Sequence, residues 1–211
     1  MIELTGDIPF LWRLSAESND GFCAVAMVVP YQVDDNKKDL TIETSVVSLS
    51  SDSTRSEQDE MLEWNQEDIN LFLRLVNQTQ YSRNLPVNDT VRIDLTDPSI
   101  IEIIHVVAAA GFGMAFASCG ALRASNGRYP THLCEVGSFA SLNAVSGFVR
   151  CVVVDVEEED VVCVLLDDID IRSGNEYDRL SRHDLLMVKR EDVLHPEFAD
   201  HNQRPDSARL H

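Results

Sequence analysis

Phe22 to Val29 (FCAVAMVV) is an unbroken apolar run ended by Pro30. Its length and flanks predict a buried strand. Tyr31 to Asp39 is polar and reads as a turn, and Ile42 to Leu49 alternates loosely, as a second strand does. Ser50 to Asp59 (SSDSTRSEQD) is Ser-rich and acidic, which predicts a solvated loop that also offers acidic-directed phosphorylation sites. Over Glu60 to Gln78 the period becomes helical. Leu62, Ile69, Phe72, Leu73 and Val76 fall on one stripe, with Glu67 and Asp68 early and Arg74 late, as the helix dipole prefers. The stripe reads as core.

Asn84 to Asn88 reads as a turn and Val91 to Leu95 as a short strand. Thr96-Asp97-Pro98 then has the form of a helix start, with a capping side chain followed by a proline that fits the first turn. Ile100 to Ala110 is apolar on nearly every face, which predicts a buried helix containing His105 as a core histidine, with Gly111 as its left-handed terminator. Phe112 to Cys119 reads as a strand and Ala121 to Pro130 as a polar connection. From Val136 the pattern is that of short strands: Val136 to Leu142, Gly147 to Asp155, Val161 to Leu166, and a further apolar segment within Leu180 to Val188. An acidic turn (Glu157 to Asp160) and a polar loop (Asp167 to Asp178) separate them. Such a series predicts a small antiparallel barrel or meander. The fold class expected is α+β, a small antiparallel β-barrel next to a β-rich unit with two helices. The divisions are 1–125, 126–190 and a polar C-terminal tail, 191–211.

Charge narrows the partners. The 211 residues hold 36 acidic against 17 basic side chains, a formal net charge of -19. Nucleic-acid affinity comes largely from Lys and Arg displacing counterions, so direct nucleic-acid binding is not expected. The densest basic segment (Arg179, Arg182, Lys189, Arg190) has acidic residues between its members. An acidic surface suits a basic or arginine-rich protein partner. Five cysteines (Cys23, Cys119, Cys134, Cys151, Cys163) form no C-x-x-C, which predicts reduced thiols and an intracellular setting. The sequons at Asn77 and Asn88 are then chance matches. Met1 to Leu14 is too polar for a secretory leader, and no apolar run is long enough for a membrane helix, so no membrane association is expected.

Val136-Gly137, then Gly147-Phe148-Val149-Arg150-Cys151, then Val161 to Leu166 ending at Asp167, then Asp184-Leu185-Leu186 resemble, in order and spacing, the Tudor family. The resemblance covers roughly a quarter of the chain. It implies a bent β-barrel. In extended members it implies a flanking unit like part of a staphylococcal nuclease (OB-type), inactive here, with which the N-terminal strands and the helix near Glu60 to Gln78 are compatible. The apolar helix Ile100 to Ala110 falls outside that pattern. The family reads methylated arginine through an aromatic cage, whose π-faces attract the cation. Phe148 matches one cage position, but Val149 stands where a Tyr is common. Asp167-Asp168-Ile169-Asp170 replaces the family's Asp-Tyr-Gly-Asn, so the cage is degenerate unless Tyr177 swings in. The expected ligand site is Phe148, Asp167, Asp168, Asp170 and Tyr177. The carboxylates can take an unmethylated arginine by paired hydrogen bonds, or form an ordinary solvated turn. The resemblance also implies small-RNA silencing or germ-granule assembly, in the cytoplasm or perinuclear granules.

No catalytic constellation is legible. There is no G-x-S-x-G, no phosphate-binding loop and no G-x-G-x-x-G. His132 with Cys134, and His195 with His201, do not have zinc-ligand spacing. The acidic runs lack the spacing of a calcium loop. The expectation is a scaffold with no catalytic residues, no metal and no cofactor. The alternative is an adaptor or oligomeric assembly subunit of unrelated α+β fold, motivated by the buried helix. The oligomeric state stays open.

Overall fold

Trp12 organises the first half of the chain. It lies on β2 (Leu11–Leu14), opposite Met27 of β3 (Phe22–Val29) and Leu62 of β5 (Glu60–Glu63). With β4 (Leu40–Leu49) these strands form an antiparallel sheet in the order β4-β3-β2-β5. The computed structural model describes residues 2–4, 10–30, 39–49, 58–82, 91–118, 120–123, 134–173 and 176–200. It has an α+β fold rich in strands and divides into two units, Met1–Met114 and Ala115–His211.

In the first unit, β1 (Ile2–Leu4) pairs with β6 (Val91–Ile93), while α1 (Gln66–Ser82) and α2 (Pro98–Phe112) pack together. Trp12 stacks on Trp64 at 4.8 Å between ring centroids and meets Phe112 of α2 edge-on at 5.6 Å. Phe10 and Phe72 close the cluster around Trp64. The indole N–H of Trp12 donates to Asp68 Oδ2 at 3.1 Å. Asp68 also begins α1. Its carboxylate accepts from the Asn65 N–H, and the Asn65 side chain accepts from the Asp68 N–H, a reciprocal capping box. This cap explains a departure from expectation. The helix does not start at Glu60; Glu60–Glu63 is a strand on β2, and Leu62 lies opposite Trp12.

α2 begins as its sequence predicts, with Asp97 accepting from the Ser99 N–H at 2.9 Å and Pro98 in the first turn. Its end differs. Gly111 is helical, and the cap is Gly113, in extended backbone, with its N–H on Ala109 O. The helix runs on because Phe112 docks on Trp12. A Cβ at Gly111 would sit 3.4 Å from Asp68 Oδ1, in van der Waals contact, so α2 passes directly over that carboxylate. His105 accepts from the Ser45 N–H at 3.2 Å, tying α2 to β4. The apolar helix that motivated the adaptor alternative is thus a core element of this unit, packed on β3, β4 and α1.

The second unit has β7 (Ala115–Ala117), β8 (Phe139–Ala144), β9 (Gly147–Val156), β10 (Asp160–Leu165), β11 (Ile169–Ser173), β12 (Glu176–Leu180), β13 (Leu185–Lys189) and β14 (Val193–Leu194). A 3-10 turn, Arg190–Asp192, precedes β14, and α3 (Glu197–Asp200) follows it. The main sheet runs β14-β8-β9-β10-β13-β7, with β7 parallel to β13. It is open: β14 and β7 are its edges, and among the described residues they do not pair, so the closed barrel expected here is not formed by the ladder. It is nonetheless curled. β13 and β14 flank β8, β9 and β10 from opposite sides, four strand spacings or about 19 Å apart in a flat sheet. The four Cα steps from Lys189 to Val193 span at most about 14 Å, so the sheet must bend to let the turn reach. Val149, Cys151, Cys163, Leu165, Leu186 and Val193 fill the concave side.

Several boundaries differ from the sequence reading. β7 and the Leu122–Ala144 bridge attach residues before 126 to the second unit. Strand β8 starts at Phe139, because Glu135 to Ser138 make a turn in which Gly137 has φ 81°. The polar loop Asp167 to Asp178 contains the β11–β12 hairpin, pinned by the buried pair Ile169 and Leu180. Residues 191–200 of the expected tail are structured. Val193 and Leu194 are buried against β8, and buried Ser141 donates to Pro196 O and accepts from the Ala199 N–H. Cys119, His132, His201 and most of the expected turns at Tyr31 to Asp39, Ser50 to Asp59 and Asn84 to Asn88 lie outside the described residues, as does most of the Ala121 to Pro130 connection. Among the described residues no helix is long and apolar enough to cross a membrane.

Asp68 generates a stability prediction. Burial pushes its carboxyl above the usual 3.8, and the hydrogen bonds from Trp12 and Asn65 offset only part of that. Between 3.8 and the raised value the folded state holds more protons than the unfolded state, so this contribution is full below pH 3.8 and is lost as pH rises through the folded value. Asp68→Asn keeps an acceptor and should abolish that decline. Asp68→Ala strands the Trp12 N–H and one cap bond, and should cost about 2–4 kcal/mol. Urea titration followed by tryptophan fluorescence, which reports Trp12 and Trp64, measures both.

Candidate functional site

β9 alternates over its first half, from Phe148 to Cys151, after which Val152 and Val153 are both buried. Val149, Cys151 and Val153 enter the core, leaving Phe148 and Arg150 together on the other face. The β8–β9 turn ends at Gly147, whose φ of 137° few side chains tolerate, and this places Phe148 at the mouth of the hairpin. The Phe148 ring packs against Phe198 of α3, with centroids 5.4 Å apart and planes tilted by 30°. Phe198 is the aromatic neighbour that sequence reasoning missed. It lies in a segment that reads as a polar tail; the available signal was Pro196-Glu197, a proline and an acid at a helix start.

Asp167 leaves β10 just beyond the sheet and turns back onto Arg150. Its carboxylate takes Arg150 Nε at 3.0 Å and Nη2 at 2.6 Å, a two-pronged fork, and also the Arg150 backbone N–H at 2.9 Å. Burial would raise the Asp167 pKa, but the Arg150 hydrogen bonds and the charges of Arg150 and Arg182 overcome it and hold the group below 3.8. Asp168 accepts from the Arg182 N–H at 2.8 Å and pairs with the Arg179 guanidinium. The Arg182 backbone bond is the main cause of its lowered pKa, with the Arg179 bond and charge adding to it. Both carboxylates therefore stay ionised and already hold arginines of their own chain. Asp170 is exposed on β11, opposite Arg179 in register. Tyr177 is on β12 opposite Arg172, and its side chain lies outside the described residues.

Of the residues singled out from the sequence, Phe148 and Asp167 are brought together through Arg150. Asp168 and Asp170 share the next stretch of chain, both exposed, with Arg179 paired to Asp168 and opposite Asp170 in register. The arrangement offers two adjacent rings and an ionised carboxylate fork, with an exposed aspartate on the neighbouring hairpin, and among these described residues no nucleophile is paired to a base. Cys151 hydrogen-bonds to Cys163, and that contact, with burial, pushes its thiol pKa well up, the opposite of an activated cysteine. Among the described residues no group of three or more His, Cys, Asp and Glu is placed to hold a metal ion.

Asp167→Asn should destabilise the second unit by about 1–2 kcal/mol, since the fork is charge-assisted but a third exposed. The wild type should lose the same contribution as pH falls below 3.8 through the folded value, while the variant should not. Hydrogen exchange at the Arg150 amide checks both. Ser141→Ala should release α3, seen as lost exchange protection at the Ala199 amide with β8 and β9 still protected.

Comparison with protein-family models found no match for the chain, and comparison with curated protein sequences found none.

Proposed function

We propose that the chain is a non-catalytic interaction module whose second unit is a Tudor-like barrel with a degenerate cage, used to hold an arginine-bearing segment of a partner protein. The observation that carries this reading is the pair of rings, Phe148 and Phe198, beside the Arg150–Asp167 fork. A guanidinium can stack on the rings while Asp170 supplies an opposite charge. Two further observations support it. The Arg190–Asp192 turn joins β13 to β14 around a curled sheet, the connectivity a five-stranded small barrel needs. Val149 and Asp168 stand where the family commonly carries aromatic side chains, and this favours recognition that does not depend on methylation. The setting proposed, cytoplasmic small-RNA silencing or germ-granule assembly, rests on the family resemblance alone.

Titration of the full chain with an arginine-rich peptide, unmethylated and symmetrically dimethylated, tests the proposal. We expect weak binding, with a Kd on the order of 10–1,000 μM, and less than about threefold preference between the peptides. Phe148→Ala and Asp170→Asn should each weaken binding about three- to tenfold. A strong methyl preference would restore a working cage and overturn the methyl-independent version. Absence of binding to both peptides would remove the arginine-holding role.

A further inference from the structure

The four-stranded sheet of the first unit has two faces, and only one is accounted for. Trp12, Met27 and Leu62 share the face that meets α1 and α2. On the opposite face every β3 position is apolar: Phe22, Ala24, Ala26 and Val28. A strand that is apolar on both sides has the composition of one covered on both sides.

Half of this outward row is covered. Ala26 and Val28 are buried, and Ala26 lies between Arg13 and Glu43, whose side chains bond across it at 2.7 Å. The other half is open. Phe22 is 38% exposed and its partner Leu49 44%; Val47, opposite Ala24, is 52% exposed. Across Arg13, Met61 is 47% exposed. Phe22, Leu49 and Val47 therefore form one contiguous outward group at the end of the sheet, with Met61 apart from them beyond Arg13.

The charge around this face selects its partner. Among the described residues of the sheet and its turns, Arg13 is the one cation, and it is held by Glu43 and, at 3.9 Å, by Asp59. Asp20 is exposed in the turn that leads into Phe22, and Glu17 of the same turn is partly buried. A second copy of this chain would bring the same carboxylates together, against a net charge of -19.

We propose that this face docks a segment of another protein in which Lys or Arg residues are interspersed with apolar ones. The apolar side chains cover Phe22, Val47 and Leu49, and the cations meet the carboxylates at the rim. The site belongs to the first unit and Phe148 and Asp170 to the second, and the proposal stands or falls independently of them.

The test selects peptides on the full chain from a displayed library of random dodecapeptides, with the Val47→Ser/Leu49→Ser double variant as counter-selection. Both positions are exposed, so the variant should melt with the wild type, and Phe22→Ser gives a second variant on the other strand. We expect peptides retained by the wild type alone to be enriched in Lys, Arg and large apolar residues. A synthesised representative should bind at least about tenfold more weakly to either variant. Its affinity should fall as salt rises from about 50 to about 500 mM, and should not change with Phe148→Ala. Selection of acidic or uncharged peptides, or no peptide that distinguishes wild type from variants, overturns the proposal. So does sedimentation showing a wild-type dimer that the double variant abolishes, which would assign the face to a second copy.

Discussion

The second unit depends on a reach that its chain can barely make. Arg190–Asp192 must carry the backbone from one side of the β8-β9-β10 series to the other, and three residues cannot do so across a flat sheet. The bend that results gives the unit its concave side. There Cys151, Cys163, Leu165 and Val193 are removed from water, while Phe148 and Arg150 are left on the convex side. Because β14 is brought against β8, the residues after it arrive over Ser141, and Phe198 reaches Phe148. The proposed binding surface is in this sense a consequence of a short connection.

The first unit solves a different problem with one carboxylate. Asp68 begins α1, accepts from Trp12 and lies under Gly111, so one buried side chain ties a sheet to two helices. Burying a charge is unfavourable unless its oxygens are satisfied, and here backbone and indole donors do so. Aromatic packing around Trp64 adds contact area but little direction; the hydrogen bonds set how α1 sits on β2.

Segments whose pattern has one interpretation were legible from sequence. β3, β9 and β10 are apolar runs of strand length, and α2 has a cap, a proline and a long apolar stretch. Where two periods fit the same residues, the reading went astray. Leu62 continues the helical stripe of Ile69, Phe72 and Val76, and pairing with β2 decides in favour of strand. The β11–β12 hairpin was invisible because its polar sequence hangs on two buried residues, Ile169 and Leu180, eleven positions apart. The candidate site was legible in its individual residues but not in their connections. Phe148 and Asp167 could be named, whereas the Arg150 fork spans 17 positions and the Phe198 contact spans five further strands, and no local pattern encodes either.

The distance between Trp12 and Asp68 has a consequence for biosynthesis. The two are 56 positions apart, and α2 is completed about 80 residues after β3. At roughly 5–20 residues per second, a ribosome leaves the nascent β2–β3 hairpin without its helices for roughly 5–15 s. In the first part of that interval, until Asn65 and Asp68 have been made, the apolar run Phe22–Val29 has no helix against it, so the period of greatest aggregation risk falls during translation, before the capping box exists.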